Sequence, residues 1–552
     1  MRIKSKYLNR REVLALHFLV GSLVIVVLIA GCIPKEVKPP NMLVIMVDDL
    51  GFSDLGCYGG EIKTPNLDQL AFNGLRFTQF NNTGRCWPSR ASLLTGYYPQ
   101  QIGRDSAPGI QGGGGGIRPD WARLVPMMLK GANYRSYHSG KWHMDGMPLK
   151  NGFDRSYYLK DQGRFFSPKT HYLDDKKLPE VERGSGYYAT IEIAEKAIKH
   201  LKEHREKFAD RPFFSYVAFT APHFPLHALK EDIEAVGNRY EQGWEKLRSD
   251  RWDRIKELGI VTGELSKVES EIGPPYHFPK ALELLGEGEI DLPIPWDSLS
   301  PKQKQFQQDK MTIHAAMIER VDKEIGRIID QLKTMDALDN TLIVFLSDNG
   351  ASAEIMVRDE GHDPESEPGS AATYLCLGPG WSNLSNTPFR RHKTWVHEGG
   401  TGTPFIAHWP DGIAARGELR HTNGHITDVV PTILDLARVP NDSLRKVSLP
   451  GQSLRPLFEK ETGWEHPVWY YHEGNRALRV GNWKIVADKA SPWELFNLDK
   501  DRTESKNLAD NNPDKVIELE IKWNKMLTSF REDSPYKSTM KNKVSTTTEN
   551  LE

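Results

Sequence analysis

Cysteine is scarce. The 552 residues contain four, Cys32, Cys57, Cys86 and Cys376, too few for a disulfide framework. Cys32 and Cys86 are read below as chemical positions, which leaves only Cys57 and Cys376 able to pair. Net charge is nearly absent as well: 72 basic and 74 acidic residues leave −2. No global field therefore draws nucleic acid or anionic lipid to the chain, although a local basic pocket for an anion remains allowed. The five glycines Gly112 to Gly116 lack the Gly-Lys-Ser/Thr ending of a phosphate-binding loop and read as a flexible loop. Internal repeats are missing too. What is present, 38% hydrophobic and 26% charged residues, suits a globular protein with a real core and room for two or three domains.

The amino terminus departs from this pattern. Arg2, Lys4, Lys6, Arg10 and Arg11 precede an apolar stretch from Val13 to Ile29, which ends in Ile29-Ala30-Gly31-Cys32. A basic start, an apolar core and small residues at a cleavage point describe a secretory signal. The last four residues resemble a bacterial lipobox, with Cys32 as the lipidated first residue of the mature chain. The apolar run is short for a full membrane span. The expectation is a signal peptide over 1–31, a Pro-rich tether over 32–40 and an exported, membrane-anchored lipoprotein in the periplasm or on the cell surface.

Met42-Leu43-Val44-Ile45-Met46-Val47 is a continuous apolar run, as in a strand buried on both faces. Thr64-Pro65 predicts a helix start with Thr64 as cap. Strand-like runs recur at 134–139, 213–219, 342–346 and 404–408. Helical periodicity lies between them, in Ile191, Ala194, Ala197, Ile198 and Leu201, and again from Met317 to Leu332. Alternating strands and helices predict an α/β fold: a large domain with a mixed, mostly parallel sheet flanked by helices. Residues 230–308, rich in Trp, Glu and Lys, read as a partly helical insertion. After Trp464, four short strand-like runs predict a small antiparallel sheet packed with a helix. The expected division is a main domain over 41–463, a C-terminal subdomain over 464–532 and a polar, disordered tail over 533–552.

Polar clusters follow directly on four of the predicted strands. Asp48 and Asp49 follow the first. Gly140-Lys141-Trp142-His143 follows 134–139, Ala221-Pro222-His223 follows 213–219, and Asp348-Asn349-Gly350 follows 342–346. Open α/β sheets bind ligands at the carboxyl ends of their strands, so the clusters point to one site. Each alone has a plainer reading, as a solvated turn, a structural histidine or a surface lysine. Asp48, Asp49, Asp348 and Asn349 together offer only oxygen donors, a set suited to calcium or magnesium rather than zinc.

Cys86-Trp87-Pro88-Ser89-Arg90, running on into Ala91-Ser92-Leu93-Leu94-Thr95-Gly96, resembles the signature of the type I sulfatases of the alkaline phosphatase-like superfamily. Val47-Asp48-Asp49, Gly140-Lys141-Trp142-His143, Thr220-Ala221-Pro222-His223, Ser347-Asp348-Asn349-Gly350 and Lys393 before Glu398-Gly399-Gly400 stand in that family's order. Gly451-Gln452-Ser453-Leu454 and Trp493-Glu494-Leu495-Phe496 look like its C-terminal region. The departures are Trp87 at the variable position and the long insertion.

The resemblance implies that Cys86 is converted by a maturase to formylglycine, whose hydrate attacks sulfur. Asp48, Asp49, Asp348, Asn349 and residue 86 would bind one calcium ion, and Arg90 would hold the hydrate. Lys141 and Lys393 would clamp sulfate oxygens. His223 would protonate the leaving oxygen, and His143 would deprotonate the second hydroxyl so that sulfate is expelled. The implied protein is an arylsulfatase-like sulfuric ester hydrolase acting on a sulfated small molecule or glycan. A phosphonate or phosphate ester hydrolase on the same scaffold is the alternative enzyme, and a non-catalytic binder of sulfated glycans the alternative class. Trp142 and Trp395 could stack on a sugar or aryl ring or pack in the interior.

Overall fold

The computed structural model describes residues 38–358, 361–440, 447–464, 466–489 and 491–536. The signal peptide, Cys32 and most of the tether and tail lie outside these residues. The large sheet takes its strands, in chain order, from β1 (Asn41–Val47), β2 (Leu75–Phe77), β3 (Arg135–Gly140), β4 (Arg155–Leu159), β5 (His171–Leu173), β6 (Lys176–Lys177), β7 (Phe213–Ala218), β8 (Thr341–Ser347), β9 (Phe405–His408) and β10 (Glu418–Arg420). Their spatial order is β10-β2-β9-β8-β1-β7-β3-β4-β5-β6. The central block β8-β1-β7-β3-β4 is parallel. The run at 404–408 departs from the simple βα alternation: β9 pairs antiparallel with both β8 and β2.

The helices that bear on the argument are α1 (Pro65–Phe72), α2 (Cys86–Thr95), α3 (Ala189–Lys207), α4 (Gly243–Glu257), α5 (Pro301–Thr334) and α6 (Pro513–Asp533). The apolar run of β1 is split between two layers, as the two-residue period of a strand requires. Leu43, Ile45 and Val47 pack in one core with Ile193, Ala197 and Leu201 of α3 and Val321, Ile325 and Ile328 of α5. Met42, Val44 and Met46 face a second core containing Leu93 and Leu94 of α2. A strand covered on both faces has no polar side to alternate with.

Two local expectations need correction. Thr64 precedes α1, but its hydroxyl does not cap that helix; it accepts from the Gly56 amide at 3.0 Å and donates to Asp68 at 3.1 Å. The first amides of α1 instead donate to the carboxylate of Asp322 in α5, at 3.2 Å from Asn66 and 2.8 Å from Leu67. α5 itself begins at Pro301, inside the stretch read as an insertion. Ser300 caps it through a reciprocal bond with Gln303. The remainder of that stretch is tied to the body by aromatic packing: Trp244 lies 4.8 Å from Trp296 and 5.2 Å from Trp381 between ring centres.

The C-terminal sheet is antiparallel, from β11 (Val468–His472), β12 (Asn475–Val480), β13 (Trp483–Ala487) and β14 (Glu494–Asn497), with α6 against it. It belongs to the same compact unit as the large sheet, Pro40–Glu552. The chain stays described a few residues into the stretch expected as tail: Tyr536 accepts through its carbonyl from the Gln111 amide at 3.0 Å.

Candidate active site

Four neighbouring parallel strands end level with one another. Met46 pairs with Ala218 and with Leu346, and Gly140 pairs with Ala218. The next residues of each chain segment are therefore delivered to one place: Asp48 and Asp49 from β1, Lys141 from β3, Thr220 to His223 from β7, and Asp348 and Asn349 from β8. The turns are tight, and Asp49 (φ 65°) and His143 (φ 53°) take left-handed backbone conformations that non-glycine residues seldom adopt.

Residue 86 arrives on α2. The helix starts at Cys86 itself rather than after Pro88; Arg85 is the extended N-cap, and Pro88 is tolerated because the first turn has no intrahelical acceptors for its amides. Cys86 thus sits at the positive end of a ten-residue helix, and is 4% exposed. Burial raises its thiol above the ordinary value, and Lys141 and Lys393 only partly oppose this. A buried, protonated thiol is a poor nucleophile.

The ionised side chains interlock. Lys141 bonds Asp48. Arg90 reaches Asp348 at 2.6 Å, Asp48 at 3.7 Å and the Tyr216 hydroxyl at 3.3 Å. Lys393 contacts Asp49 at 2.9 Å, Glu354 at 3.0 Å and His223 Nε2 at 3.2 Å. Asn349 donates to Asp49 at 2.7 Å. All of these except His223 are buried. Three protein cations, Arg90, Lys141 and Lys393, face Asp48, Asp49 and Asp348, but Lys393 is shared with the buried Glu354, so four carboxylates meet three cations. Burial works against ionisation of Asp48, yet Lys141, His223, Arg90 and Lys393 hold it well below the usual carboxylate range. Burial and the adjacent Asp48 push Asp348 above that range.

Both histidines are brought to the site. Burial, aided by Lys393 and Lys141, lowers His223. Its Nδ1 lies 2.6 Å from the Phe224 carbonyl, which assigns the proton to Nδ1 and leaves Nε2 to accept from Lys393. His143 lies beside Trp87, with 6.0 Å between ring centres, and its Nδ1 is buried without a hydrogen-bond partner. Burial, with Lys141 and Arg90 nearby, holds it well below the ordinary imidazole value. Trp142, by contrast, is interior: fully buried against His138 and Phe153. Trp395 is half-buried under Arg391.

Several site residues carry no sequence pattern of their own. Glu354 bridges Lys393 and Arg85. Thr394, at φ 86°, accepts from Arg85 at 2.7 Å. Only their short distance along the chain from Asn349 and Lys393 could have pointed to them.

The oxygen donors suit a hard cation on one internal observation. Asp48 Oδ1 and Asn349 Oδ1 are buried acceptors without a hydrogen-bond partner, and unsatisfied buried acceptors are costly. Ligand atoms of Asp48, Asp49 and His223 also lie within 4.8 Å of one another. His223 Nε2, however, is taken by Lys393, so the oxygens of Asp48, Asp49, Asp348 and Asn349 remain the better set for calcium or magnesium.

The fold and site together define a hydrolase of the open α/β class, with acids, bases and fixed cations gathered at the carboxyl ends of its strands. Comparison gives the family. A family model described as Sulfatase matches residues 40–439, and another, described as N-sulphoglucosamine sulphohydrolase, C-terminal, matches 391–533. An uncharacterized sulfatase of Schizosaccharomyces pombe is 33% identical, over 88% of this chain and 93% of its own length. An arylsulfatase of Klebsiella aerogenes is 30% identical, over 76% and 91%. A protein solved in complex with its substrate D-glucosamine-2-N,6-O-disulfate superposes with a TM-score of 0.60 at 23% identity, covering 90% of this chain and 99% of that one. The chain belongs to the sulfatase family and is a sulfuric ester hydrolase.

Proposed function

We propose that the protein hydrolyses aryl or carbohydrate sulfate esters with residue 86 as formylglycine and one calcium ion bound. The observation that carries this reading is the position of Cys86: at a helix N-terminus, beside fixed lysines, yet as a buried thiol unsuited to attack. Hydrated formylglycine there supplies an oxygen nucleophile and a second hydroxyl. Calcium, held by Asp48, Asp49, Asp348 and Asn349, supplies positive charge where sulfate charge develops. Lys141 and Lys393 hold sulfate oxygens through their ammonium groups. Arg90, fully buried, fixes Asp348 and Asp48 in place.

Proton movement falls to the histidines. His223 Nε2 faces Lys393, and an anionic sulfate bound between them favours the protonated ring. From that nitrogen a proton reaches the departing alcohol oxygen. His143 Nδ1, neutral and without a partner, accepts a proton from residue 86. The test is the mass of the peptide containing residue 86, measured alongside release of sulfate from 4-nitrophenyl sulfate. Active protein should carry formylglycine, which is lighter than cysteine, and Cys86→Ala should release no sulfate. Full activity with an unmodified thiol at 86 would overturn the reading. We further propose export as a lipoprotein through Cys32, tested by an acyl group on that residue in the membrane fraction.

A further inference from the structure

Three chain segments distant in sequence converge beside the start of α2. Arg85, the residue before Cys86 and within electrostatic reach of it, lies between two rings, 5.2 Å from that of Trp87 and 5.4 Å from that of Tyr276. Tyr276 comes from the insertion. Its hydroxyl donates to Glu473, 2.9 Å from each carboxylate oxygen. Glu473 comes from the hairpin between β11 and β12, and that hairpin is pinned to the Lys393 segment by Asn475, which donates to the Thr394 carbonyl at 3.2 Å. Trp87 also lies 5.4 Å from the ring of His472.

Two residues of this rim stand out. The first is Glu473 itself. The hairpin turn is Glu473-Gly474, both with positive φ (49° and 91°). Such a turn favours Asn, Asp or Gly at its first position. A glutamate there runs against local preference, and such conflicts mark functional positions. Its side chain is 37% exposed, so it keeps acceptor capacity beyond the Tyr276 bond. The second is His472. It is fully buried, and its Nδ1 is held at 2.8 Å by Asp105, which is itself fixed by Gln100 and the Ser106 amide. Its Nε2 has no hydrogen-bond partner, with the nearest carboxylate oxygen of Glu473 3.6 Å away. Asp105 thus orients a buried ring that packs against Trp87 and turns its outer nitrogen toward Glu473.

We infer that Glu473, framed by Trp87 and Tyr276 and backed by the buried His472, forms the subsite for the alcohol portion of the substrate, and that this portion is a saccharide presenting free hydroxyl groups. An ionised carboxylate accepts hydrogen bonds only, and sugar hydroxyls are donors that suit it. Aromatic rings offer amphipathic surface to the apolar face of a sugar. A carboxylate at this place also repels a second anionic group on the same ring. A simple aryl sulfate has no hydroxyl for Glu473 to bind. The inference rests on the sulfatase reading above.

The test compares 4-nitrophenyl sulfate with glucose 6-sulfate, N-acetylglucosamine 6-sulfate and N-acetylgalactosamine 6-sulfate, on matured enzyme. The variants are Glu473→Ala and Glu473→Gln. With the best saccharide sulfate, Glu473→Ala should lower kcat/KM at least about tenfold more than with the aryl sulfate, the loss of a hydrogen bond to a charged group. Glu473→Gln should recover part of that difference. Equal losses on both classes, or no saccharide preferred over the aryl sulfate, would overturn the subsite and leave the sulfatase reading intact. Calorimetric binding of the saccharide sulfates to Cys86→Ala protein, with and without Glu473→Ala, decides the subsite without turnover. Absence of turnover on every ester by protein carrying formylglycine would strike the catalytic reading, while a binding loss on Glu473→Ala would still support the subsite.

Discussion

Two of the buried charge clusters among the described residues are built on different terms. One joins the C-terminal sheet to the large domain. In it, Glu398 meets Lys484 at 2.8 Å and Arg502 at 3.1 Å, while Glu504 meets Lys484 at 2.7 Å and accepts from the Glu398 amide at 2.9 Å. Each of the four carboxylate oxygens has a cation or an amide within 3.1 Å, although Glu504 Oε1 meets Lys484 without hydrogen-bond geometry. The other is the active site, where Asp48 Oδ1 and Asn349 Oδ1 have no hydrogen-bond partner. Burial would raise Glu398, but Lys484 and Arg502 hold it down at about 2. In the active site, burial and Asp48 raise Asp348. A closed cluster is a joint. A cluster with acceptors to spare is a receptacle for positive charge.

The comparison breaks most severely at Asp48. Asp48→Asn keeps the shape and removes one charge from the receptacle, so activity on 4-nitrophenyl sulfate should fall by about a thousandfold or more, the scale of losing transition-state charge stabilisation. Retained activity would detach these oxygens from catalysis. In the joint the expected damage is to stability. Lys484→Met leaves Glu398 and Glu504 buried with their main cation gone, at a cost of about 3–5 kcal/mol, read from denaturant unfolding. The joint should also respond to acid. Glu398 is depressed from 4.5 to about 2, so its contribution is fully present above pH 4.5 and is lost as pH falls toward 2. Unfolding free energy followed from pH 6 to pH 3 should drop more steeply in wild type than in Glu398→Gln. Parallel curves would show that the joint does not carry acid sensitivity.

The receptacle was far more legible in the sequence than the joint or the rim. Asp48, Asp49, Lys141, His223, Asp348 and Asn349 follow directly on apolar strand runs, and a parallel sheet brings strand ends together by its own geometry. Cys86, Arg90 and Lys393 were legible only through resemblance to a family. Antiparallel β9 was hidden because a four-residue buried run, Phe405–His408, reads the same in either direction. Thr64 misled because Ser/Thr before Pro signals a cap, while the true acceptor, Asp322, is more than 250 residues away. Glu354, Glu473 and His472 depend on the meeting of remote loops, which no local pattern encodes. Even so, Glu-Gly in a hairpin turn was a visible conflict with turn preference.

The smallest expected effect separates the two clusters without damaging either. A ligand that binds only the folded chain stabilises it by about 2.7 kcal/mol at one hundred times its Kd. For a domain of this size that is a shift of only a few degrees in melting temperature. Calcium added to metal-stripped protein should produce that shift in wild type and in Glu398→Gln, because that variant keeps Lys484 against Glu504 and the joint offers the ion no free carboxylate. In Asp48→Asn the shift should vanish, because the orphaned oxygen and its charge are gone. Magnesium should do less, since its octahedral shell asks for shorter and more regular contacts than a set of buried carboxylates and one amide provides. An equal calcium shift in Asp48→Asn would place the cation elsewhere in the chain. The unpaired acceptors would then be a cost of arranging the lysines for sulfate rather than evidence of a metal.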